Sequence, residues 1–300
     1  MLLQLYPSFS IGFLCKLFGK SRQAYYEQFK EKNDRELEEV IVLKIVAEIR
    51  SELPRIGTRK VHFMLQERLA VHDISIGRDR LYELMGEHGY LLRYRKRKPY
   101  TTNSNHPYYK YPNLIKDLVL FKPNQLWVSD ITYIQLSGKF AYLSIITDAY
   151  SRKIVGYCLY PTLHSEGVIQ AFLMASKNVK RELYNLIHHS DRGVQYCSAN
   201  YVEQLNAHRI KISMTENGDP YENAIAERVN GILKTEFELS KPFKDFNEAM
   251  HTIDEAIRKY NELRPHLSCN YLTPAVAHQR EGALSQSWVK KKIKNGAIVV

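Results

Sequence analysis

The sequence has few cysteines and no long apolar runs. Its four cysteines, Cys15, Cys158, Cys197 and Cys269, lie far apart, and no pair has the C-x-x-C spacing of a zinc knuckle. No stretch approaches the roughly 18 consecutive apolar residues that a membrane-spanning helix needs. No basic segment precedes the apolar residues at the start of the chain, so a signal peptide is not predicted. We therefore expect a cytoplasmic protein with reduced thiols and no membrane partner.

Acidic residues are fewer than basic residues in this sequence. The 300 residues include 43 Lys and Arg against 32 Asp and Glu, a net charge of +11. Such a surplus favours polyanionic partners, and nucleic acid comes first among them. A basic run stands out, formed by Arg93, Arg95, Lys96, Arg97 and Lys98. We expect this run to lie along DNA phosphates as a strap, and the alternative is a solvated face without a ligand.

The first third of the chain has the pattern of small helices. A helix over residues 11–18 ends at Gly19, and Ser21 can cap the next helix over residues 22–29. This is the outline of a helix-turn-helix, although two packed helices with no role in DNA binding would have the same pattern. An amphipathic helix over residues 34–51 follows.

A second helix-turn-helix-like unit comes next, with helices over residues 58–69 and 78–86. Residues 101–118 have neither helical nor strand periodicity, which predicts a linker. Composition and periodicity together divide the chain into five predicted segments. They are a helical region at 1–50, a helix-turn-helix-like DNA-binding segment with the basic strap at 51–100, the linker at 101–118, an α/β core at 119–282 and a basic tail at 283–300.

The core begins with three β-rich runs joined by short turns, which predict an antiparallel meander. Helices and strands then alternate. The predicted strands are 126–134, 139–148, 153–159, 186–189 and 210–214, and the predicted helices are 165–178, 198–206, 221–239 and 247–261. This order is that of an RNase H-like fold, an α/β architecture in which a mixed five-stranded sheet carries helices on both faces.

Three acidic residues fall where such a fold presents a site. Asp130 lies inside the first strand, where an unpaired carboxylate is costly unless it binds a metal. Asp191 follows the fourth strand, at the sheet edge where open α/β folds bind ligands, and Gly193 allows the tight turn after it. Glu227 lies within a long helix beside small residues that allow close packing. Together the three acids predict a site for two divalent cations that act on phosphodiesters.

Four other acids compete for this role: Asp148, Glu216, Asp219 and Glu222. Asp148 ends a strand and could cap the turn that follows. Asp219 and Glu222 lie at the start of the long helix, where acids interact favourably with the helix dipole. The spacing favours the first three acids, because 60 residues lie between Asp130 and Asp191 and 35 between Asp191 and Glu227.

This D-60-D-35-E spacing resembles that of the retroviral-integrase-like DDE transposases. Within them, the chain is most similar to the catalytic protein of the second reading frame (OrfB) in the insertion-sequence-three family. Motifs along nearly the whole chain carry the resemblance. They are Trp127–Ile134, His189–Tyr196, Asn223–Glu227 with Leu233–Glu236, Tyr260-Asn261 with Arg264-Pro265-His266, Thr273-Pro274, and upstream Arg55–Val61.

The resemblance implies a role for each site residue. Asp130, Asp191 and Glu227 would hold two Mg²⁺ ions, which Mn²⁺ could replace. Asn230 and Lys234 share the helix face of Glu227 and would contact DNA; an exposed helix surface is the alternative. Three further residues are expected to lie next to the acids and to help position them: His189, Gly193 and Asn223. For His189, a packed strand residue is an equal alternative.

The activity implied is nicking at the ends of a bacterial insertion sequence, followed by transfer of the freed 3′ hydroxyl into DNA. The implied partners are terminal-repeat and target DNA, further copies of the chain, and a first-reading-frame protein (OrfA). Two other functions remain open. One is an RNase H-like nuclease that cuts without joining, and the other is a catalytically silent DNA-binding derivative that acts as a repressor.

Overall fold

The computed structural model describes residues 9–92, 107–177, 179, 185–216 and 222–284, with the backbone of 293–294 and 297–298. The chain divides into two compact units. One comprises residues 1–51 and 57–93, and the other comprises residues 52–56 and 94–300. We describe each unit by itself, and the finer boundaries expected from the sequence remain predictions.

The first unit consists of helices. Four are described: α1 (Ile11–Leu17), α2 (Arg22–Glu52), α3 (Thr58–Ala70) and α4 (Arg78–Glu87). The predicted capping by Ser21 is confirmed, because its hydroxyl accepts a hydrogen bond from the backbone N–H of Ala24 at 3.0 Å. The carboxyl-terminal half of α2 buries Val42, Ile45, Val46 and Ile49, which form part of the core of this unit.

Helix α2 is longer than the sequence pattern predicted. The predicted break between residues 29 and 34 is wrong, since one helix runs continuously through it. The intervening residues 30–33 include Lys and Glu, which are good helix formers, and they contain no Gly or Pro to end the helix. Periodicity suggested two helices because the apolar pattern is interrupted there, but an interrupted pattern does not break the backbone.

The second unit contains the predicted sheet. Its strands are β1 (Leu126–Leu136), β2 (Lys139–Asp148), β3 (Ile154–Tyr160), β4 (Ile187–Ser190) and β5 (Lys211–Met214). They lie in the order β3-β2-β1-β4-β5. The β1–β2 and β2–β3 pairs are antiparallel, while β1–β4 and β4–β5 are parallel. The mixed five-stranded RNase H-like sheet expected from the sequence is therefore confirmed.

Helices follow the strands in the predicted order. They are α5 (Ser165–Lys177), α6 (Val194–Cys197), α7 (Ala199–Ala207), α8 (Ala224–Glu236), α9 (Phe246–Glu262) and α10 (Pro274–Ala277). A 3₁₀ turn spans Leu267–Cys269, and a short strand pair joins Ile293–Lys294 to Ala297–Ile298. In the part of the chain that the structure describes, no helix is long and apolar enough to cross a bilayer.

Two apolar cores lie on opposite faces of the sheet, because successive strand residues point to opposite sides. On β1, Ile134 packs in the core formed with α8 and α9. Trp127 packs in the core formed with α5 and α7. Asp130 has the parity of Ile134, so its side chain lies on the α8 face. Strand alternation thus brings the first acid toward the helix that carries Glu227.

A buried histidine makes the stability of the core unit sensitive to acid. His188 on β4 is fully buried, and its Nε2 lies 2.9 Å from the Tyr201 hydroxyl. Burial, assisted by His189, lowers the pKa of His188 to about 3. The unfolded chain binds the proton at about pH 6.5. Protonation therefore favours unfolding, and stability is lost as the pH falls below that value.

We expect this group to remove about 2 kcal/mol of stability between pH 6.5 and pH 5. In His188→Gln, that part of the pH dependence should disappear. Urea unfolding followed by Trp127 fluorescence, in a Trp288→Phe background, measures it. Tyr201→Phe is the control: it removes the hydrogen bond but keeps the buried imidazole, so the pH slope should remain. An unchanged slope in His188→Gln would contradict the prediction.

Candidate active site

Asp130 is held in the middle of β1 by hydrogen bonds to its carboxylate. The backbone N–H of Ile131 donates to Oδ1 at 2.9 Å, and the Asn230 amide donates to Oδ2 at 2.7 Å. Burial and the nearby charge of Asp191 raise the pKa of Asp130 to about 7, although these hydrogen bonds oppose the shift. The fold therefore disfavours the charged form of this carboxylate in the absence of a cation.

Asp191 lies one residue beyond β4, as the sequence predicted. Its Oδ1 accepts a hydrogen bond from the backbone N–H of Gly193 at 3.0 Å, which fixes the carboxylate within the turn that leads into α6. Because β1 and β4 are parallel neighbours, Asp191 comes out beside Asp130 at the same side of the sheet.

Glu227 lies in the first turn of α8 and is exposed. Burial and the charge of Asp191 raise the pKa of Glu227. The charge of Glu227 in turn contributes to the raised pKa of Asp130. Three acids from a strand, a turn and a helix are therefore close enough for their charges to repel one another.

The donor set fits hard divalent cations such as Mg²⁺, which bind carboxylate oxygens. Burial and the charges of the neighbouring acids raise the pKa values of Asp130 and Glu227, and a bound cation would favour the charged form of both groups. Among the described residues, no three His, Cys, Asp or Glu side chains are arranged to hold an ion as they stand. The ligand assignment therefore remains a prediction.

Two asparagines attach α8 to β1 on either side of Glu227. Asn223 donates its amide to the carbonyl oxygen of Ser129 at 3.0 Å, and Asn230 donates to Asp130. Both side chains are buried, and the Oδ1 atom of each has no hydrogen-bond partner. Asn223 thus supports the site from behind. The expected DNA contact of Asn230 remains a prediction, while the structure places its amide on the first acid.

His189 is a packed strand residue. It is fully buried on β4, its Nδ1 lies 2.8 Å from the Ser213 hydroxyl on β5, and burial lowers its pKa to about 4. The ring is therefore neutral at physiological pH and helps to join two strands below the acids. The structure provides no contact between His189 and the three carboxylates.

Gly193 leaves little room beside Asp191. A Cβ atom at this position would lie 3.0 Å from Asp191 Oδ1 and 3.2 Å from Gln195 Oε1. The backbone φ of Gly193 is −63°, which any residue can adopt, so crowding is the only obstacle.

We expect Gly193→Ala to shift the Asp191 carboxylate and to lower strand-nicking activity by about 10- to 100-fold, because displacement by a few tenths of an ångström impairs catalysis. The unfolding free energy should change little. The matched control is Gly231→Ala on α8, where a Cβ meets nothing within 4 Å. That variant should keep full activity, and an equal loss in both variants would disprove the crowding argument.

The competing acids have structural partners. Glu216 accepts hydrogen bonds from the Asn113 backbone at 3.2 Å and from Lys116 Nζ at 2.5 Å. Glu222 accepts from the Asn113 side chain at 3.1 Å and from the Glu216 backbone at 2.6 Å. Glu216 and Glu222 therefore connect the linker to the segment before α8 through hydrogen bonds. Asp219 lies outside the described residues.

Asp148 caps a turn, as expected. Its Oδ1 accepts from the backbone and the hydroxyl of Ser151 at 2.8 and 2.7 Å, and its Oδ2 accepts from the backbone of Asn124 at 2.7 Å. These bonds account for its complete burial.

The contact between the hydroxyl group of Ser129, which precedes Asp130 in the chain, and that of Tyr196 was not predicted from the sequence. The Ser129 hydroxyl donates to the Ile145 carbonyl at 3.1 Å and lies 2.9 Å from the Tyr196 hydroxyl. Burial, with the charges of Asp130 and Asp191, raises the pKa of Tyr196 well above its ordinary value, so the phenol stays neutral. The sequence contained only a weak signal: a serine preceding the acid within an apolar strand.

The predicted DNA contacts are only partly within the described chain. Lys234 lies on α8, two turns beyond Glu227, and is partly exposed. The basic run of Arg93, Arg95, Lys96, Arg97 and Lys98 lies outside the described residues. The strap therefore remains a prediction from the sequence.

Known proteins similar to this chain fall into one group. The integrase core domain matches residues 121–220, and a second integrase core domain model matches residues 208–274. The 31 kDa protein of insertion element IS600 from Shigella sonnei is 35% identical over 272 residues, which cover 89% of this chain and 98% of that protein.

Two relatives are described as transposases. The putative transposase of IS986/IS6110 from Mycobacterium tuberculosis is 34% identical over 51% of this chain and 56% of its own length. Transposase InsF of IS3A from Escherichia coli is 35% identical over 54% of this chain and 56% of its own length. The aligned region thus covers little more than half of each transposase.

Two solved structures of viral integrases are 21% and 19% identical to the chain. The HTLV-2 integrase catalytic core in complex with magnesium covers 53% of this chain with a TM-score of 0.42 and 21% identity, and 99% of the viral core is matched. The simian T-cell lymphotropic virus intasome covers 79% of this chain and 81% of the viral one, with a TM-score of 0.48 and 19% identity. The strand order and pairing of the sheet identify the fold independently of this similarity.

Proposed function

Because the chain belongs to the insertion-sequence-three family of integrase-core transposases, we propose that it cuts DNA at insertion-sequence ends and joins the freed 3′ hydroxyl to target DNA. The reaction centre would be Asp130, Asp191 and Glu227. The observation that supports this most is the convergence of three acids from β1, the turn after β4 and α8, where burial and the charges of the neighbouring acids raise the pKa of Asp130 and of Glu227.

Each acid has a distinct position in the proposed centre. Asp130 is oriented by the Asn230 amide, which leaves its carboxylate placed to hold a divalent cation together with the other two acids. Asp191 is oriented by the Gly193 backbone. Glu227 is exposed and faces the approaching DNA, and Lys234 on the same helix would contact a phosphate. Asp130, Asp191 and Glu227 would hold two Mg²⁺ ions, with Mn²⁺ able to replace them.

Bound divalent cations would supply the positive charge that stabilises the entering and leaving oxygens of an in-line displacement. The protein's own contribution is orientation. Hydrogen bonds from Ile131, Asn230 and Gly193 hold carboxylate oxygens in place before DNA binds. No covalent protein–DNA intermediate is proposed, so no serine or tyrosine acts as a nucleophile.

The test is a nicking and joining assay with labelled DNA from the ends of the insertion sequence. Wild type should give nicked and joined products in Mg²⁺ or Mn²⁺ and none with chelator. Asp191→Asn and Glu227→Gln should give neither product. Glu222→Gln is the matched control on the neighbouring acid, since Glu222 bonds to Asn113 and Glu216, and it should retain both activities.

Other outcomes would separate the competing functions. Nicking without joined product would favour a nuclease. DNA binding without cleavage, even after addition of a first-reading-frame protein, would favour a repressor. Retention of activity in Glu227→Gln would remove Glu227 from the centre.

A further inference from the structure

The amino-terminal half of α2 is a helix with an unburied apolar stripe. Residues 26–38 are all exposed. Large apolar side chains nevertheless recur along it: Tyr26 is 49% exposed, Phe29 53%, Leu37 62% and Val40 61%. Helices of globular proteins gain most of their stability by packing such a stripe against another surface. The stripe therefore calls for a partner.

The spacing of the stripe is symmetric. Tyr26, Phe29, Asn33, Leu37 and Val40 are separated by steps of three, four, four and three residues. At about 100° per residue, the four apolar residues lie within about 40° of Asn33 around the helix axis. The spacing of the stripe residues is the same in both chain directions from Asn33. When a second copy of the helix lies antiparallel, each stripe residue therefore lies opposite another stripe residue. Such self-complementarity is the property of a two-fold interface.

The charges beside the stripe have the same symmetry with opposite signs. Lys30 and Lys32 precede Asn33, and Asp34 and Glu36 follow it. Lys30 and Asp34 lie on one side of the stripe, and Lys32 and Glu36 lie on the other. In an antiparallel pair, Lys30 faces Asp34 of the second copy and Lys32 faces Glu36. In a parallel pair, Lys30 would face Lys32, and Asp34 would face Glu36, which is repulsive.

We propose that α2 binds a second copy of this chain, antiparallel and with the two-fold axis at Asn33. The apolar residues fill the centre of the interface, and four ion pairs flank it. The two Asn33 amides meet at the axis, where a polar residue fixes register. The contact is small, so we expect a dimer with a dissociation constant of about 10 µM.

Charge exchange tests the pairing by analytical ultracentrifugation of the full chain. Lys30→Glu with Lys32→Glu places acid against acid, and Asp34→Lys with Glu36→Lys places base against base. Each double variant alone should dimerise at least about tenfold more weakly than wild type. An equal mixture of the two should recover dimers. Higher salt should reduce these differences.

The matched control changes the same amount of charge on the opposite side of the helix. Glu31→Lys with Glu38→Lys lies more than about 130° from Asn33 and should dimerise like wild type. A monomeric wild type at about 100 µM, double variants that dimerise like wild type, or a mixture that stays monomeric would each overturn the proposal.

Cysteine cross-linking reports the direction of the pair. In the antiparallel pair, position 26 lies beside position 40 of the other copy, whereas the two copies of position 26 are about 21 Å apart. Under oxidant, Tyr26→Cys mixed with Val40→Cys should form a disulfide between unlike chains, and Tyr26→Cys alone should not. The unsubstituted chain, with its own cysteines, is the background. Cross-linking of Tyr26→Cys to itself would indicate a parallel pair and overturn the proposal.

Discussion

Asp130→Asn is expected to abolish nicking and joining while making the metal-free protein more stable. Loss of one of the three carboxylates proposed to hold the divalent cations should lower the rate by at least about 10³-fold. The stability gain follows from the raised pKa of Asp130, about 7 in the fold. The unfolded group ionises near pH 3.9. Above that pH the carboxylate therefore favours unfolding, and the penalty grows until the pH passes about 7.

Asparagine has nearly the same shape and no charge, so it removes this penalty. We expect Asp130→Asn to gain about 2 kcal/mol at pH 8 in chelator and little at pH 4. The measurement is urea unfolding at both pH values beside the nicking assay. Asp117→Asn, on the exposed linker, is the control and should change neither property. A destabilised Asp130→Asn at pH 8 would show that burial and the neighbouring acids do not raise the pKa of Asp130 in the fold.

The order of strands and helices in the core could be predicted because local patterns encode it. Alternating apolar residues and short turns indicate β1 to β3. The later strands are short apolar runs, and turn or helix-capping residues after each run mark where the strand ends. The join within α2 could not be predicted in the same way. The amino-terminal half of α2 packs against no core, so its apolar residues do not follow the period of a half-buried helix. The sequence therefore suggested a break in the helix where none exists.

The three candidate acids could be selected from the sequence, and their role stays a prediction, but most of the contacts that hold them in the fold could not be foreseen. Asp130 and Asn230 are 100 residues apart, and the two partners Asn113 and Glu222 are 109 apart. No local period indicates which distant amide reaches which carboxylate, since that depends on how the elements pack. For this reason neither the hydrogen bond from Asn230 to Asp130 nor the linker contacts of Glu216 and Glu222 were foreseen, while the DNA contact of Asn230 stays a prediction.

The end of α8 is fixed by a buried ion pair that the sequence showed only as a motif. Arg264 is 1% exposed and binds Glu236 in a bidentate manner, with Nε to Oε2 at 2.8 Å and Nη2 to Oε1 at 2.7 Å. Its guanidinium also lies 5.8 Å from the ring centre of Tyr260. Glu236 is the last residue of the helix that carries Glu227. The pair therefore joins the helix that carries Glu227 to the segment after α9.

We expect Arg264→Met to lower the unfolding free energy by about 3 kcal/mol, because the partly buried Glu236 carboxylate loses its guanidinium. The double variant with Glu236→Met should recover most of this loss, since apolar side chains of similar volume need no counter-charge. A double-mutant cycle by urea unfolding gives the coupling energy. The exposed pair Arg258–Glu262, at 3.5 Å, is the control and should couple by less than about 1 kcal/mol.

The same variants separate stability from catalysis. If the ion pair fixes the position of Glu227, the double variant should be stable yet still nick DNA more slowly than wild type, and Arg258→Met with Glu262→Met should nick normally. The physical reason is that two methionines restore packing but do not restore the fixed bidentate geometry. Full activity in the stable double variant would mean that Arg264 and Glu236 support the fold alone, and that Asn223 and Asn230 suffice to position the helix.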